Sequence, residues 1–395
     1  MDKPPALARE PGGAKEKGRL PMPVTQVGTS EALLEELRGW VLHETPTTDP
    51  KAVNGLMDKA EAGLREVGAA ITRIPGRDGY GDNLVARTPG TGKPVVIAGH
   101  LDTVWDHKTL DTSMPWKVEG EKAFGPGIYD MKAGSFLAFN AVREILRQKV
   151  ATKSPITLLL TPDEEVGSPT SRALIEEEAR GARAVLIPEP AGVNGSCVTA
   201  RKGVGRFVVK IQGVSAHAGG NWSEGRSAVV ALAGLIQKVH GMVDLAGGTT
   251  TNVAPVWGGT RPNVIPPEAG CEIDLRVATA ADGARLEKAI LGLAGTQDGI
   301  TITVEGGMNR PPFAENADIL NLYERARKLA REVGYELPKQ HRGGGSDGNF
   351  TAALGIPTLD GLGCTGAGAH APFEHILWRD LAPRGQVIAG LLETL

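Results

Sequence analysis

Three short apolar runs of this chain each end in side chains that can hold a proton or a metal ion. Pro94–Gly99 (PVVIAG) runs into His100-Leu-Asp102, Ile156–Thr161 (ITLLLT) into Pro-Asp163-Glu164-Glu165, and Ala184–Pro188 into Glu189-Pro190. His100 and Asp102, two residues apart, project to one side of an extended segment. A carboxylate placed there accepts the imidazole N–H, fixes the tautomer and makes the other ring nitrogen a better metal ligand. Consecutive acids after an apolar run are costly to bury without cations, so Asp163–Glu165 is either a metal-facing cluster or a surface turn. Prolines on both sides hold the Glu189 carboxylate on a stiff, extended backbone.

Two glycine-rich segments add to the set. Gly125-Pro-Gly127-Ile-Tyr-Asp130-Met-Lys132-Ala-Gly134 places Asp130 just before a predicted helix, where it could instead serve only as an N-cap. Gly366-Ala-Gly368-Ala-His370-Ala-Pro supplies a second histidine. Histidine and carboxylate ligands without thiolates suit Zn²⁺, or less selectively Mn²⁺ or Co²⁺, and several carboxylates favour two ions over one. The expected ligands are His100, Asp130, Glu165, Glu189 and His370. Of the two adjacent glutamates, one binds metal while the other stays free as general base toward a water bridging the ions.

The elements that position these residues follow from periodicity. Thr29-Ser30 is an N-cap candidate before apolar residues at helical spacing, and a second helix follows Pro50. Buried strands then alternate with helices at Ala133–Leu146 and Ser171–Ala179, which argues a mostly parallel α/β sheet covered by helices, with active residues at its carboxyl edge. From Val204 the order changes to β-α-β-β-α-β: a strand through Phe207, Val209 and Ile211, a helix over Arg226–His240, strands near Thr250–Val256 and Glu268–Val277, a helix over Ala281–Leu293, and a strand at Thr301–Val304. That is a ferredoxin-like α+β unit. The α/β pattern resumes after Pro311, with helices at Ile319–Val333 and Leu381–Leu395. The expected organisation is a flexible tail over 1–28, a catalytic domain over 29–202 and 312–395, and an inserted domain over 203–311.

A length of 395 residues suits two such domains. With 43 basic against 46 acidic residues there is no electrostatic footprint for nucleic acid or an anionic membrane. The three cysteines show no CxxC spacing, so neither a disulfide framework nor a thiolate metal site is expected. No run approaches 18 apolar residues and the N-terminal stretch lacks an apolar signal core. A cytoplasmic protein is expected from the chain as it stands, periplasmic or secreted if a signal has been removed.

These five segments, in this order, resemble the family of two-zinc metallopeptidases and amidohydrolases that includes aminoacylase, acetylornithine deacetylase, succinyl-diaminopimelate desuccinylase and bacterial glutamate carboxypeptidase. The resemblance covers essentially everything after about residue 30 and is greatest to the glutamate carboxypeptidase branch, through Glu189 in its Glu-Pro context. It implies two zinc ions held by His100, Asp130 as bridge, Glu165, Glu189 and His370, with Glu164 as general base and Asp102 orienting His100. Glu374 falls where the family keeps a helper acid, while His375, His107 and His341 are left as structural or surface histidines. It further implies that His217, in Gly213-Val-Ser-Ala-His217-Ala-Gly219, reaches across a homodimer formed by the inserted domain to stabilise the oxyanion. Asn263, Arg276, Arg310 and the loop Gly343-Gly344-Gly345-Ser346-Asp347 are implied to contact the substrate. An exopeptidase acting at a free carboxyl end needs such a cation and oriented amides. The implied activity is removal of a C-terminal residue, glutamate first, from a small peptidyl or N-acyl substrate. The alternatives are a deacylase or dipeptidase of the same family, or a non-catalytic homologue that binds metal or ligand.

Overall fold

The computed structural model describes residues 23–395. Helices α1 (Ser30–Val41) and α2 (Pro50–Glu66) come first. The Thr29 hydroxyl caps α1 by accepting from the Ala32 N–H, and Asp49 caps α2 with Pro50 at its start. There follow β1 (Ala70–Ile74), β2 (Asn83–Arg87), β3 (Val95–His100), a short α3 (Thr109–Thr112), β4 (Lys117–Glu119), β5 (Lys122–Phe124), α4 (Ala133–Arg147), β6 (Ile156–Thr161), α5 (Arg172–Ala179), β7 (Ala184–Leu186) and β8 (Cys197–Arg201). The middle of the chain gives β9 (Gly203–Gln212), α6 (Ala228–His240), β10 (Thr250–Gly258), β11 (Glu268–Val277), α7 (Ala280–Leu291), β12 (Gly295–Gln297) and β13 (Ile300–Arg310). It closes with α8 (Ala317–Glu332), β14 (Lys339–Arg342), α9 (Gly348–Ala353), β15 (Thr358–Leu359), β16 (Gly366–Ala367), β17 (His375–Leu377) and α10 (Leu381–Thr394).

The larger sheet has the order β1-β2-β6-β3-β7-β15, in which β6, β3, β7 and β15 run parallel and β1 and β2 are antiparallel additions. The strands β3 and β6 are buried at every position, which is why their sequences are continuously apolar rather than alternating. Helix α4 is buried over most of its surface, between this sheet, α2 and α10, and its Phe136 and Phe139 rings pack on Trp40.

The second sheet, β10-β11-β9-β13-β12, is antiparallel throughout. Along β9 the residues Phe207, Val209 and Ile211 face a core shared with Leu232 and Leu235 of α6 and Leu286 of α7, while Arg206, Val208 and Lys210 face out. The β-α-β-β-α-β order is present, with β12 as an extra edge strand. Strand β13 runs to Arg310, well beyond the expected Thr301–Val304, because it pairs with β9 almost to its end and so carries Arg310 toward the first sheet. Strand β7 stops at Leu186, short of the expected Pro188. Prolines lack the N–H that would continue the ladder.

The expected tail over 1–28 differs in its last part. Residues 1–22 lie outside the described residues, but the backbone N–H groups of Val24 and Thr25 donate to the Glu393 carboxylate, and Val27 is buried in the main core. Among the described residues no helix is long and apolar enough to cross a membrane.

Candidate active site

The parallel strands deliver their last residues to one crevice. His100, the final residue of β3, is buried, with Nδ1 3.0 Å from the Asp102 carbonyl oxygen and 3.3 Å from its Oδ1. Its Nε2 lies 3.4 Å from Asp130 Oδ1 and 3.9 Å from Glu189 Oε1. The other Asp130 oxygen lies 3.4 Å from His370 Nε2, which is 3.0 Å from Glu165 Oε2. Ligand atoms of His100, Asp130 and Glu189 fall within 4.8 Å of one another, and so do those of Asp130, Glu165 and His370. The two triads share Asp130.

Each position has a local cause. Asp130 sits in an irregular turn before α4, entered through Gly127 at φ +69°, where a Cβ would stand 2.3 Å from Thr103 Cγ2. The buried Glu374 carboxylate accepts from the backbone N–H groups of Gly127, Tyr129 and Asp130 and from Trp105 Nε1, so a residue near the C-terminus fixes the Asp130 loop. Gly134 lets α4 approach the end of β7, since a Cβ there would meet the Pro188 carbonyl oxygen at 1.7 Å. Asp102 does two jobs: beside orienting His100 it accepts from the backbone N–H groups of Glu164 and Glu165, at 3.2 and 3.3 Å, and from Thr47 Oγ1. Asp163 belongs to neither triad and closes the next turn by accepting from Thr170 and Ser171.

Electrostatics mark the cluster as short of cations. Burial alone would lower the His100 pKa, but Asp102 and Asp130 hold it well above the usual imidazole range. Burial would raise Asp130, yet His100 and His370 hold it well below the ordinary carboxylate range. Burial pushes Glu165 up to about 8, and burial with repulsion from Asp130 raises Glu189 well above its ordinary value. His370, beside Asp130 and Glu165, rises to about 10. Burial also raises Glu164, against the pull of Arg310. Two buried ligand atoms, His100 Nε2 and Glu165 Oε1, have no hydrogen-bond partner. Orphaned acceptors on crowded carboxylates and imidazoles are what a divalent cation satisfies, so the donor set fits zinc-type ions.

A cavity of about 310 Å³ lies over this cluster. Its wall includes Arg276, Arg310, Gly344 and Gly345, as the sequence suggested. Arg310 is buried and already engaged: Nη2 is 2.7 Å from Glu164 Oε1 and Nη1 is 2.9 Å from Asp347 Oδ1. Arg276 pairs with Asp274 at 2.7 Å. Ser346 differs from expectation. Its hydroxyl donates to Asp360 and its N–H to Asn349 Oδ1, so it stands behind the loop rather than on the cavity wall. His217 and Asn263 are also absent from that wall. They lie together in the second unit, bridged through Val264, with the His217 ring accepting from the Gly219 and Gly220 N–H groups.

Sequence reasoning missed Arg201, which lines the cavity and forms a buried pair with Asp360 at 2.6 Å, and the wall residues Arg206, Arg342 and Tyr129. Asp360 follows β15 at the same carboxyl edge that supplied the other acids, but that strand is only two residues long and leaves no apolar run to point to it. Cys197, Cys271 and Cys364 are buried and free, and His375 is buried with Nδ1 against the Phe373 carbonyl.

The model of peptidase family M20/M25/M40 matches residues 96–394. Carboxypeptidase G2 of Pseudomonas sp. (strain RS-16) is 31% identical over 93% of this chain and 90% of its own length. A succinyl-diaminopimelate desuccinylase of Delftia acidovorans is 28% identical over 89% of this chain and 95% of that protein. Among solved structures, the aminopeptidase PepT of Bacillus cereus superposes with a TM-score of 0.76 at 24% identity, covering 93% of this chain and 99% of that one. A metallo-carboxypeptidase of Sulfolobus solfataricus gives 0.71 at 17% identity over 91% and 98%. The shared architecture and the histidine-carboxylate cluster at the carboxyl edge agree with the sequence match: this chain belongs to peptidase family M20/M25/M40.

Proposed function

We propose that this chain is a metal-dependent carboxypeptidase that removes a C-terminal residue, glutamate first, from a small peptidyl or N-acyl substrate. The observation that carries the reading is the pair of ligand triads sharing Asp130, set beside Glu164 in a cavity walled by arginines and a glycine-rich loop. The proposed site holds two zinc ions, one at His100, Asp130 and Glu189 and one at Asp130, Glu165 and His370. Such ions acidify water and polarise a carbonyl.

The chain's own residues supply the rest. Glu164, at the start of the turn after β6, takes the proton of the attacking water on a carboxylate oxygen and delivers it to the departing amine. Burial raises its pKa, which suits a carboxylate that must take up a proton, and the contact with Arg310 opposes that rise and holds the side chain in place. Arg276 and the Gly344-Gly345 loop receive the free carboxylate of the substrate. Among the described residues Tyr129 and His370 supply the only aromatic rings on the cavity wall, which favours a small acyl or peptide group over one that needs a stacking platform. The unit 203–311 would act as the dimerising, closing part that brings His217 of a second copy to the oxyanion, and the three free cysteines suit a reducing, cytoplasmic setting.

The test is a substrate panel on zinc-loaded protein before and after chelation. Hydrolysis of substrates with C-terminal glutamate, lost on metal removal and restored by zinc, is expected. Full activity after demonstrated metal removal would overturn the mechanism. Cleavage of N-acyl substrates in preference to dipeptides would move the chain to the deacylase side of the family.

A further inference from the structure

Among the described residues three arginines are buried to 5% exposure or less: Arg201, Arg310 and Arg384. Two have carboxylates at ion-pair distance, Arg201 with Asp360 and Arg310 with Glu164 and Asp347. Arg384, in α10, has no carboxylate within 4.0 Å among the described residues. Its Nη2 donates to the Gly195 carbonyl and the Thr365 hydroxyl, and its Nη1 is buried with no hydrogen-bond partner. Arginine is almost never fully buried unless paired. A buried guanidinium with a bare N–H edge therefore asks for an anion.

The surroundings say where it would come from. Arg384 lines a cavity of about 350 Å³, distinct from the catalytic one, together with Asn194, Gly195, Tyr335, Thr365 and Asp380. The Tyr335 hydroxyl is a second buried group without a partner, and its ring lies 5.5 Å from the Arg384 guanidinium. Asp380, the residue just before α10 and four positions ahead of Arg384, also lines the cavity, and its carboxylate is in no ion pair among the described residues. Asp380 and Arg384 stand four residues apart, close enough to share one face, yet no ion pair joins them among the described residues, so a ligand bearing both charges can bridge them.

We propose that this cavity is a binding site for a free α-amino acid. The carboxylate lies on Arg384 and the Tyr335 hydroxyl, and the ammonium lies on Asp380. The two segments that close the cavity are also those that carry metal ligands: Gly195 is six residues after Glu189 and Thr365 is five before His370. The Gly363 N–H donates to the Glu189 carbonyl and the Ala191 N–H to the Cys364 carbonyl, which ties the two segments together.

The experiment is calorimetric titration of the zinc-loaded full chain with glycine, and separately with acetate, in parallel with glycine-soaked crystals. Density beside Arg384, and a binding component weakened at least tenfold in Arg384→Gln, are expected. Asp380→Asn should weaken glycine several-fold and leave acetate unchanged. Identical titrations of the parent and Arg384→Gln, with no density at the cavity, would overturn the site. Acetate binding as tightly as glycine, with Asp380→Asn silent, would overturn the amino-acid assignment. If Arg384→Gln does not fold, Tyr335→Phe serves instead: it keeps the cation and should weaken glycine by a measurable factor, and an unchanged affinity counts against the proposal.

Discussion

The carboxyl edge of the larger sheet and the loop that carries His217 are opposite kinds of place. At the sheet edge the ionisable side chains are crowded together and buried or half-buried, only the His370 ring being largely exposed, and Asp102, Glu374 and Gly134 hold that cluster in place. Around His217 the chain is exposed, the ring's hydrogen bonds are to neighbouring backbone, and the ring is not on the wall of the catalytic cavity. A cluster that is dense within one chain can assemble a metal site alone. A histidine presented outward on a turn has a role only if something else arrives.

The comparison breaks most sharply at Glu164. Glu164→Ala should retain the metals, since neither triad includes it, and lose about 10²–10⁴ in turnover. Metal content by elemental analysis beside kcat decides it, and a near-normal rate would remove Glu164 from its role as base. The outward histidine comes next. His217→Ala should lower kcat by the equivalent of about 2.7–4 kcal/mol with metal content unchanged. If the ring acts in a second copy, mixing His217→Ala with Glu164→Ala should restore activity, because mixed dimers contain one intact site. No recovery on mixing would place the histidine in its own chain's site or outside catalysis. The sheet edge can also be loosened without touching a ligand: Glu374→Ala should cost about 10–100-fold in metal affinity, read by competition with a chelator, because it frees the Asp130 loop.

What the sequence revealed and what it hid divide along the same line. The buried strands were legible because burial on both faces leaves an unbroken apolar run, and His100, Glu165 and Glu189 were legible because each stood at or just past the end of one, whereas Asp130 and His370 were read from glycine-rich segments. Asp360 obeys the same rule but follows a two-residue strand, too short to register as a run. Arg310 was singled out for the substrate, yet its first partners are Glu164 and Asp347; pairing across 146 residues leaves no local trace. The glycine count was a partial guide. Gly127 and Gly134 are required by contact or conformation, whereas a Cβ at Gly343 or Gly344 would meet nothing within 4 Å. The short edge strands β4, β5, β16 and β17 went unseen because they are held by one another, not by apolar periodicity.

The smallest effect lies away from both places and measures how much a half-exposed ion cluster contributes beside a buried one. Glu315 accepts from Thr199 Oγ1 and Lys339 Nζ, both at 2.6 Å, and lies 3.3 Å from His341 Nε2, pinning β14 to β8. Burial would raise its pKa, but Lys339, Thr199 and His341 outweigh it and bring the carboxyl down to about 2 from an ordinary 4.5. A depressed folded-state pKa gives stability that is fully present above 4.5 and is lost as the pH falls toward 2. Solvent around Lys339 screens the pair, so Glu315→Gln should cost only about 1 kcal/mol at neutral pH. Urea midpoints of the parent and the variant should therefore differ at pH 7 and converge at acid pH. A gap that stays constant across that range would mean that Glu315 acts through hydrogen bonding and packing, and that its charge contributes nothing.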